Sequence, residues 1–401
     1  MKKILCVIEG YSGLTEANAI CLSNIQNYWK SNEIQVDFLS IEKERTIVPE
    51  GIIPCFIPQK KIYSKLLRNG IKLFNIPIKR PFLVHIITDQ IRQQLNSGDY
   101  CGILTVVNPI ESAEAVAAIK KECNSIIAIL YEFDPASNRY KNPHSIFEKW
   151  WKARSIKWEC KVYKEFDKII HLKTHKHHFE SEIFSELYYK TVYLDVPAFI
   201  PRAEKEITER EKKNQNLVLL YAGAFYPKLR NPQRMISIIK KIATKASIEV
   251  KIFTGNNMFH SVQEMIGDSS SIILNHYINQ NELRIEFDNC DIFLDLGNLE
   301  SDYLPSKTIQ YIGEGKPIIH FCPDREDVTI DYLKKYPLSL IIYEQDDTEE
   351  ITERILAFFE VIKRKPVCNP MNLKDAFIEN CPDYSGAKII EQFEECLKMI
   401  E

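Results

Sequence analysis

The feature that most limits how this chain can fold is a plan that it runs through twice. Lys3 to Ile8 is apolar after its first residue and has the length of a strand. The glycine loop Glu9-Gly10-Tyr11-Ser12-Gly13 follows, and then Ala17, Ile20, Leu22, Ile25 and Trp29 recur at roughly helical spacing. The order restarts at Leu217: an apolar run to Tyr221, a loop Ala222-Gly223 through Lys228, Arg230 and Pro232, and a helical pattern from Gln233 to Ala243. Short runs without polar alternation suit strands covered on both faces, as in a parallel sheet wrapped by helices. The restart therefore predicts an α/β protein of two Rossmann-like, doubly wound domains. We expect an N-terminal domain over 1–200, a C-terminal domain over 201–383, and a last helix over 384–401 that crosses back to the first domain. The 401 residues are enough for two such domains.

Further runs fill both sheets. Val36 to Ile41, Gly102 to Val107, Ile126 to Tyr131 and Lys168 to Leu172 read as strands of the first domain, which Tyr193 to Ala198 closes. Glu249 to Thr254, Ile272 to Leu274, Asp291 to Leu296, Ile318 to Phe321 and Leu340 to Tyr343 serve the second. Phe147 to Phe166 reads as a long helix, and the charged run Arg202 to Lys213 as a linker or exposed helix.

Composition excludes several classes. With 45% hydrophobic and 27% charged residues the chain can build large cores. A formal net charge of −3 gives no general attraction to nucleic acid. The eleven cysteines are scattered and never spaced C-x-x-C, which suits reduced, buried thiols in a cytoplasmic protein better than disulfides or a zinc site. Ile4 to Ile8 is too short for a signal-peptide core or a membrane span. His171, His175, His177 and His178 lie in HLKTHKHH with neither H-E-x-x-H nor a nearby cysteine, and read as a solvated cluster more than a metal site. One stretch departs from the acidic whole. From Gln59 to Phe82, the basic residues Lys60, Lys61, Lys65, Arg68, Lys72, Lys79 and Arg80 occur without an acid, between Ile62, Leu66, Leu67, Ile71, Leu73 and Phe74. Such a segment suits an anionic membrane surface or a solvated basic face.

Pro305 to Phe321, PSKTIQYIGEGKPIIHF, reads as a short helix ending near Gly313 and Gly315, followed by a strand. In a parallel sheet that helix starts at a strand's carboxyl end, where ligands bind. Its first turn is thus a candidate diphosphate seat, with Ser306 and Lys307 as added donors. Asp134, just past the strand ending at Tyr131, sits where α/β enzymes place working groups; it is a candidate acceptor-side base or, with Pro135, a turn former.

The segment PSKTIQYIGEGKPII resembles the donor-sugar segment of GT-B glycosyltransferases of the retaining, surface-polysaccharide type (group 1, family 4-like), whose pattern is close to P-S-K-x-x-E-Y-x-x-x-G-K-P-I-I. The resemblance implies a GT-B fold with its two domains facing a central cleft. It also implies a transferase, metal-independent and without cofactor, that moves a sugar from a nucleoside-diphosphate sugar to a glycan or lipid-linked acceptor in bacterial surface polysaccharide synthesis. By the same resemblance, Gly10 and Gly13 approach the donor sugar, Gly223 opens the donor loop, and Lys228 and Arg230 reach the diphosphate. Tyr277 and Ile278 lie where the base is read. The family's ribose-holding glutamate is Gln310 here, and its partner acid is Asp302. An amide accepts from a ribose hydroxyl but carries no charge. Two other readings therefore stay open: a sugar-nucleotide epimerase on the same fold, and a non-catalytic GT-B subunit that stabilises a partner transferase.

Overall fold

The computed structural model of the protein describes residues 3–14, 16–43, 46–57, 80–138, 146–202, 216–299, 302–364 and 368–400. Of the basic stretch only Arg80 to Phe82 falls within the described residues, and of the run from Arg202 to Lys213 only Arg202. The chain divides into two compact units, Met1–Pro197 together with Pro382–Glu401, and Ala198–Cys381.

Among the described residues the first unit carries seven strands: β1 (Lys3–Glu9), β2 (Val36–Lys43), β3 (Ile52–Ile57), β4 (Tyr100–Val106), β5 (Ile127–Glu132), β6 (Lys168–Leu172) and β7 (Thr191–Leu194). All pair in parallel, in the order β3-β2-β1-β4-β5-β6-β7. Between them run α1 (Ala17–Ser31), α2 (Pro81–Ser97), α3 (Ile110–Glu122), α4 (Ile146–Tyr163) and the short α5 (Lys176–Phe179). The second unit carries β8 (Leu217–Ala222), β9 (Ile248–Thr254), β10 (Ile272–His276), β11 (Ile292–Leu296), β12 (Ile318–Cys322) and β13 (Ser339–Tyr343). They too are parallel, in the order β10-β9-β8-β11-β12-β13. Its helices are α6 (Gln233–Ala243), α7 (Phe259–Ile266), α8 (Gln280–Asn289), α9 (Ser306–Gly313), α10 (Thr329–Leu333) and α11 (Thr348–Lys363).

Both sheets have the doubly wound Rossmann order, and in each the winding reverses between its first and fourth strands in sequence. Ligands of such sheets bind outside the carboxyl ends at that reversal. Inner strands at or beside it are buried as the apolar runs require: every residue of β5, β8, β11 and β12 is buried. Two elements carry only weak sequence signals. β3 contains Pro54, which a sheet tolerates because β3 lies at its edge. α2 opens with Pro81 at its first position, in the wake of the basic stretch.

The last helix, α12 (Pro382–Ile400), packs into the first unit. Ile389 and Phe393 are fully buried, and the Trp29 Nε1–H donates to Gly386 O at 3.2 Å. Gly102 in β4 makes room for Phe393: a Cβ there would lie 2.6 Å from the Phe393 ring and 2.9 Å from Ile127 O. Phe393→Ala empties this contact and should cost the first unit about 3–5 kcal/mol. Urea unfolding followed by hydrogen exchange should show the loss in the first unit, with amides of β8 to β13 keeping their protection.

Candidate functional site

In the second unit the helix expected after Pro305 forms as α9. Pro305 is the N-cap of α9 and offers no side-chain acceptor, and no acidic residue lies in the first turn. The free N–H groups and the positive dipole end are left for an anion. Ser306 and Lys307 stand in that turn, half-buried. Lys307 Nζ donates to Gln310 Oε1 at 3.0 Å and lies 5.5 Å from the Phe287 ring centre. Burial pulls the ammonium down to about 8, against the opposing pull of Glu314. Gln310 thus holds the lysine within the helix, a partnership that the amide in place of glutamate makes with one neutral acceptor. The helix closes at Gly313, where a Cβ would meet Ile200 O at 2.6 Å.

Across the winding reversal, the loop after β8 doubles back on itself, with Tyr226 N–H donating to Arg230 O at 3.1 Å and Arg230 N–H to Tyr226 O at 2.9 Å. It is tied to the loop after β11: Leu299 N–H donates to Leu229 O at 2.8 Å, and Arg230 Nε to Asn298 Oδ1 at 3.0 Å. Arg230 is therefore preorganised, half-buried, beside the Tyr221 hydroxyl. Lys228 is exposed at the loop's turn. Gly223, next after β8, donates its N–H to Phe253 O at 3.0 Å. Tyr277, just past β10, is 55% exposed, and its ring lies against Gly255. Burial and the neighbouring Tyr226 push its phenol up, opposed by Arg230. Ile278 and Asp302 are half-buried on the same edge. The structure thus assembles Gly223, Arg230, Tyr277, Asp302, Ser306 and Lys307 along the carboxyl edge of one sheet.

Beneath this edge lies a buried polar core that the sequence reading missed. Asp295 on β11 and His320 on β12 are register partners. His320 Nδ1 lies 2.8 Å from Asp295 Oδ2, which also accepts from Thr308 Oγ1 of α9 at 2.7 Å. Burial disfavours a charged His320, but Asp295 and Asp327 outweigh it and hold the ring well above the usual histidine range. The signal was present: a charge inside each of two apolar runs, IFLDL and IIHFC, must find a partner when both strands are buried.

The first unit repeats this device. Glu132 and His171 are register partners on β5 and β6, with Oε2 and Nδ1 2.9 Å apart. Tyr163 donates to Glu132, and His178 Nε2 lies 3.1 Å from Ser137 Oγ. Only His177 of the four histidines is exposed; His171 and His175 are buried and His178 half-buried, so the solvated reading fails for those three. The cause is β6, which carries His171 into the sheet, and the short helical turns that follow it, which bury His175 and half-bury His178. Asp134 follows β5, half-buried, and its charge, after burial, helps push the Cys21 thiol up to about 12.

At this unit's own winding reversal, Gly10 adopts φ 68° and donates its N–H to Ile41 O at 3.0 Å. The next two N–H groups are already engaged, Tyr11 to Ser40 Oγ at 2.9 Å and Ser12 to Glu42 Oε1 at 3.0 Å. The loop is therefore a shaped backbone turn, with Gly13 exposed beyond it, more than a phosphate cradle. Two acids at this edge carried no motif. Glu111, in the first turn of α3, is buried and accepts from the Arg80 N–H at 2.7 Å. Glu9 closes β1, and burial, with Glu16 and Glu111 nearby, pushes its carboxyl up. A raised carboxyl at a ligand-facing edge is suited to proton transfer.

No protein-family model and no curated protein matches the sequence. Solved structures do match in shape. The N-terminal domain of trehalose-6-phosphate phosphatase from Candida albicans is 10% identical, with a TM-score of 0.63 over 99% of this chain and 97% of its own. UDP-GlcNAc 2-epimerase from Methanocaldococcus jannaschii is 10% identical, with a TM-score of 0.56 over 97% and 98%. The glycotransferase of kitacinnamycin is 10% identical, with a TM-score of 0.52 over 98% and 99%. Together with the two Rossmann-ordered sheets, these likenesses show a GT-B fold.

Proposed function

We propose that the protein is a glycosyltransferase that takes a nucleoside-diphosphate sugar on its second unit and passes the sugar to a glycan or lipid-linked acceptor of a bacterial surface polysaccharide. The observation that carries this reading is the uncapped start of α9 with Lys307 in its first turn, on the same sheet edge as the anchored Arg230. A helix N-terminus and two cations there meet the charge of a leaving diphosphate, work done elsewhere by a metal ion. Catalysis is accordingly expected to need no added divalent ion. Support for the ligand class comes from neighbours whose names specify a sugar-nucleotide epimerase and a glycotransferase.

A thermal-shift panel of UDP, GDP, ADP and TDP and their sugars tests the reading, followed by transfer assays with the stabilising donor. Stabilisation by one nucleoside diphosphate, with transfer only when acceptor is present, is the expected result. Turnover of the free nucleotide sugar without acceptor would identify an epimerase. No shift with any nucleotide, together with co-purification of a second transferase, would identify a non-catalytic subunit.

The basic stretch at 60–80 is proposed to dock the protein on anionic lipid near a lipid-linked acceptor. Among the described residues no helix is long and apolar enough to cross a membrane. The expected result is co-sedimentation with anionic liposomes that weakens with salt, since the screening length falls from about 10 Å at 0.1 M to about 3 Å at 1 M. Changing Lys60, Lys61, Lys65, Arg68 and Lys72 to Gln should abolish most of it, and equal pelleting of the two proteins refutes the docking.

A further inference from the structure

We propose that His320, Cys322 and Asp327 form a binding site for a zinc-class transition-metal ion inside the second unit, a role independent of the donor assignment. His320 and Cys322 are two apart on β12 and so point to the same face of the sheet. Asp327 follows in the turn before α10. One ligand atom from each, Nε2, Sγ and a carboxylate oxygen, lies within 4.8 Å of the other two, and all three residues are buried.

The histidine is set up as a ligand. Its Nδ1 is engaged by Asp295 at 2.8 Å, which directs the ring so that Nε2 faces the other two residues. That Nε2 is fully buried and has no hydrogen-bond partner among the described residues. Asp327 Oδ2 stands 3.8 Å from it, too far for a hydrogen bond, and Sγ stands 4.0 Å from the same oxygen. A shared ion would draw these atoms in by a few tenths of an ångström: bonds of about 2.0–2.3 Å at tetrahedral angles place ligand atoms roughly 3.3–3.8 Å apart. A carboxylate on the far ring nitrogen is the usual outer partner of a metal-bound histidine.

The surroundings keep the centre clear. Asp327 Oδ1 is held by the Thr329 N–H at 2.8 Å, leaving Oδ2 for the ion. Gly297, at the end of β11, supplies the wall; a Cβ there would collide with Asp327 Oδ2 and stand 3.3 Å from His320 Nε2. The fourth position falls to water, since no other described His, Cys, Asp or Glu brings a ligand atom within 4.8 Å of all three. Cys322 Sγ now donates to Asp324 O at 2.7 Å. Binding would release this thiol proton, and the Nε2 proton of any imidazolium, to solvent. The one thiol of the site belongs to an H-x-C-x4-D pattern, which contains no C-x-x-C. Through His320, Asp295 and Thr308 the ion would also brace the first turns of α9.

The test uses the full chain without a histidine tag, stripped of metal and titrated with Zn²⁺ and Co²⁺. One equivalent should bind and raise the melting temperature, and the cobalt form should show a thiolate-to-cobalt charge-transfer band. Cys322→Ser should lose the band, and Asp295→Asn, which alters only the outer partner, should weaken binding about 10–100-fold. His177→Gln with His178→Gln should leave binding intact. An unchanged melting temperature with no stoichiometric binding would mean that His320 is an imidazolium bridging two carboxylates, and the site would be discarded. Binding that survives Cys322→Ser with its band, or that is lost in the His177/His178 variant, overturns the assignment as well.

Discussion

Asp134→Asn is expected to lower sugar transfer about a hundredfold or more while nucleoside-diphosphate binding is unchanged. The substitution keeps the size and most hydrogen-bonding geometry of the side chain but removes its charge and its capacity to take a proton. A general base contributes on the order of 10²–10⁴ in rate, so loss of that function is visible in kcat before it is visible in affinity. Position supports the choice: Asp134 lies beyond the carboxyl end of β5, on the first unit, whereas the proposed donor seat belongs to the second. Initial rates with saturating donor, beside thermal shifts with the nucleotide alone, separate the two effects. Glu9→Gln is the necessary companion, since burial pushes that carboxyl up at the same sheet edge. A loss in Glu9→Gln with full activity in Asp134→Asn would move the proton acceptor to β1 and leave Asp134 as a turn former.

The fold was legible because its strands are buried on both faces. Runs such as LVLLYA at β8 and IAILYE at β5 have few alternatives once a glycine loop and a helical pattern follow. β3 was not legible because Pro54 interrupts it, and only its place at the edge makes that harmless. The site was legible where local backbone makes it, as at Pro305, Ser306 and Lys307, whose helix start follows from proline chemistry. It was not legible where two distant strands supply it. Asp295 and His320 are 25 positions apart and Glu132 and His171 are 39 apart, and only sheet register brings each pair together. Nor could the sequence show that the Tyr11 and Ser12 N–H groups are taken up by Ser40 and Glu42, which leaves them unavailable to a phosphate. The glycine at 10 is required instead by its φ of 68°.

Lys307→Ala and Arg230→Ala are each expected to weaken nucleoside-diphosphate binding at least tenfold, and together by a hundredfold or more if their contributions add. A charge-assisted contact contributes roughly 1.5–3 kcal/mol, and both cations are already oriented, Lys307 by Gln310 and Arg230 by Asn298. Little ordering cost then offsets the contact. The two should differ in pH dependence. Arginine stays charged throughout, whereas Lys307 loses its proton near pH 8 because burial disfavours its ammonium. Diphosphate binding favours the protonated form, so affinity should be full well below pH 8 and decline as pH rises through it. At pH 9 the free protein carries about one-tenth of its Lys307 protonated, which limits this effect to roughly tenfold. Isothermal titration of the stabilising nucleotide from pH 7 to 9 should show that decline in the wild type and in Arg230→Ala, and a flat profile in Lys307→Ala. Unchanged affinity in both single variants would remove the diphosphate from this edge of the sheet; a decline that persists in Lys307→Ala would assign the titrating group elsewhere.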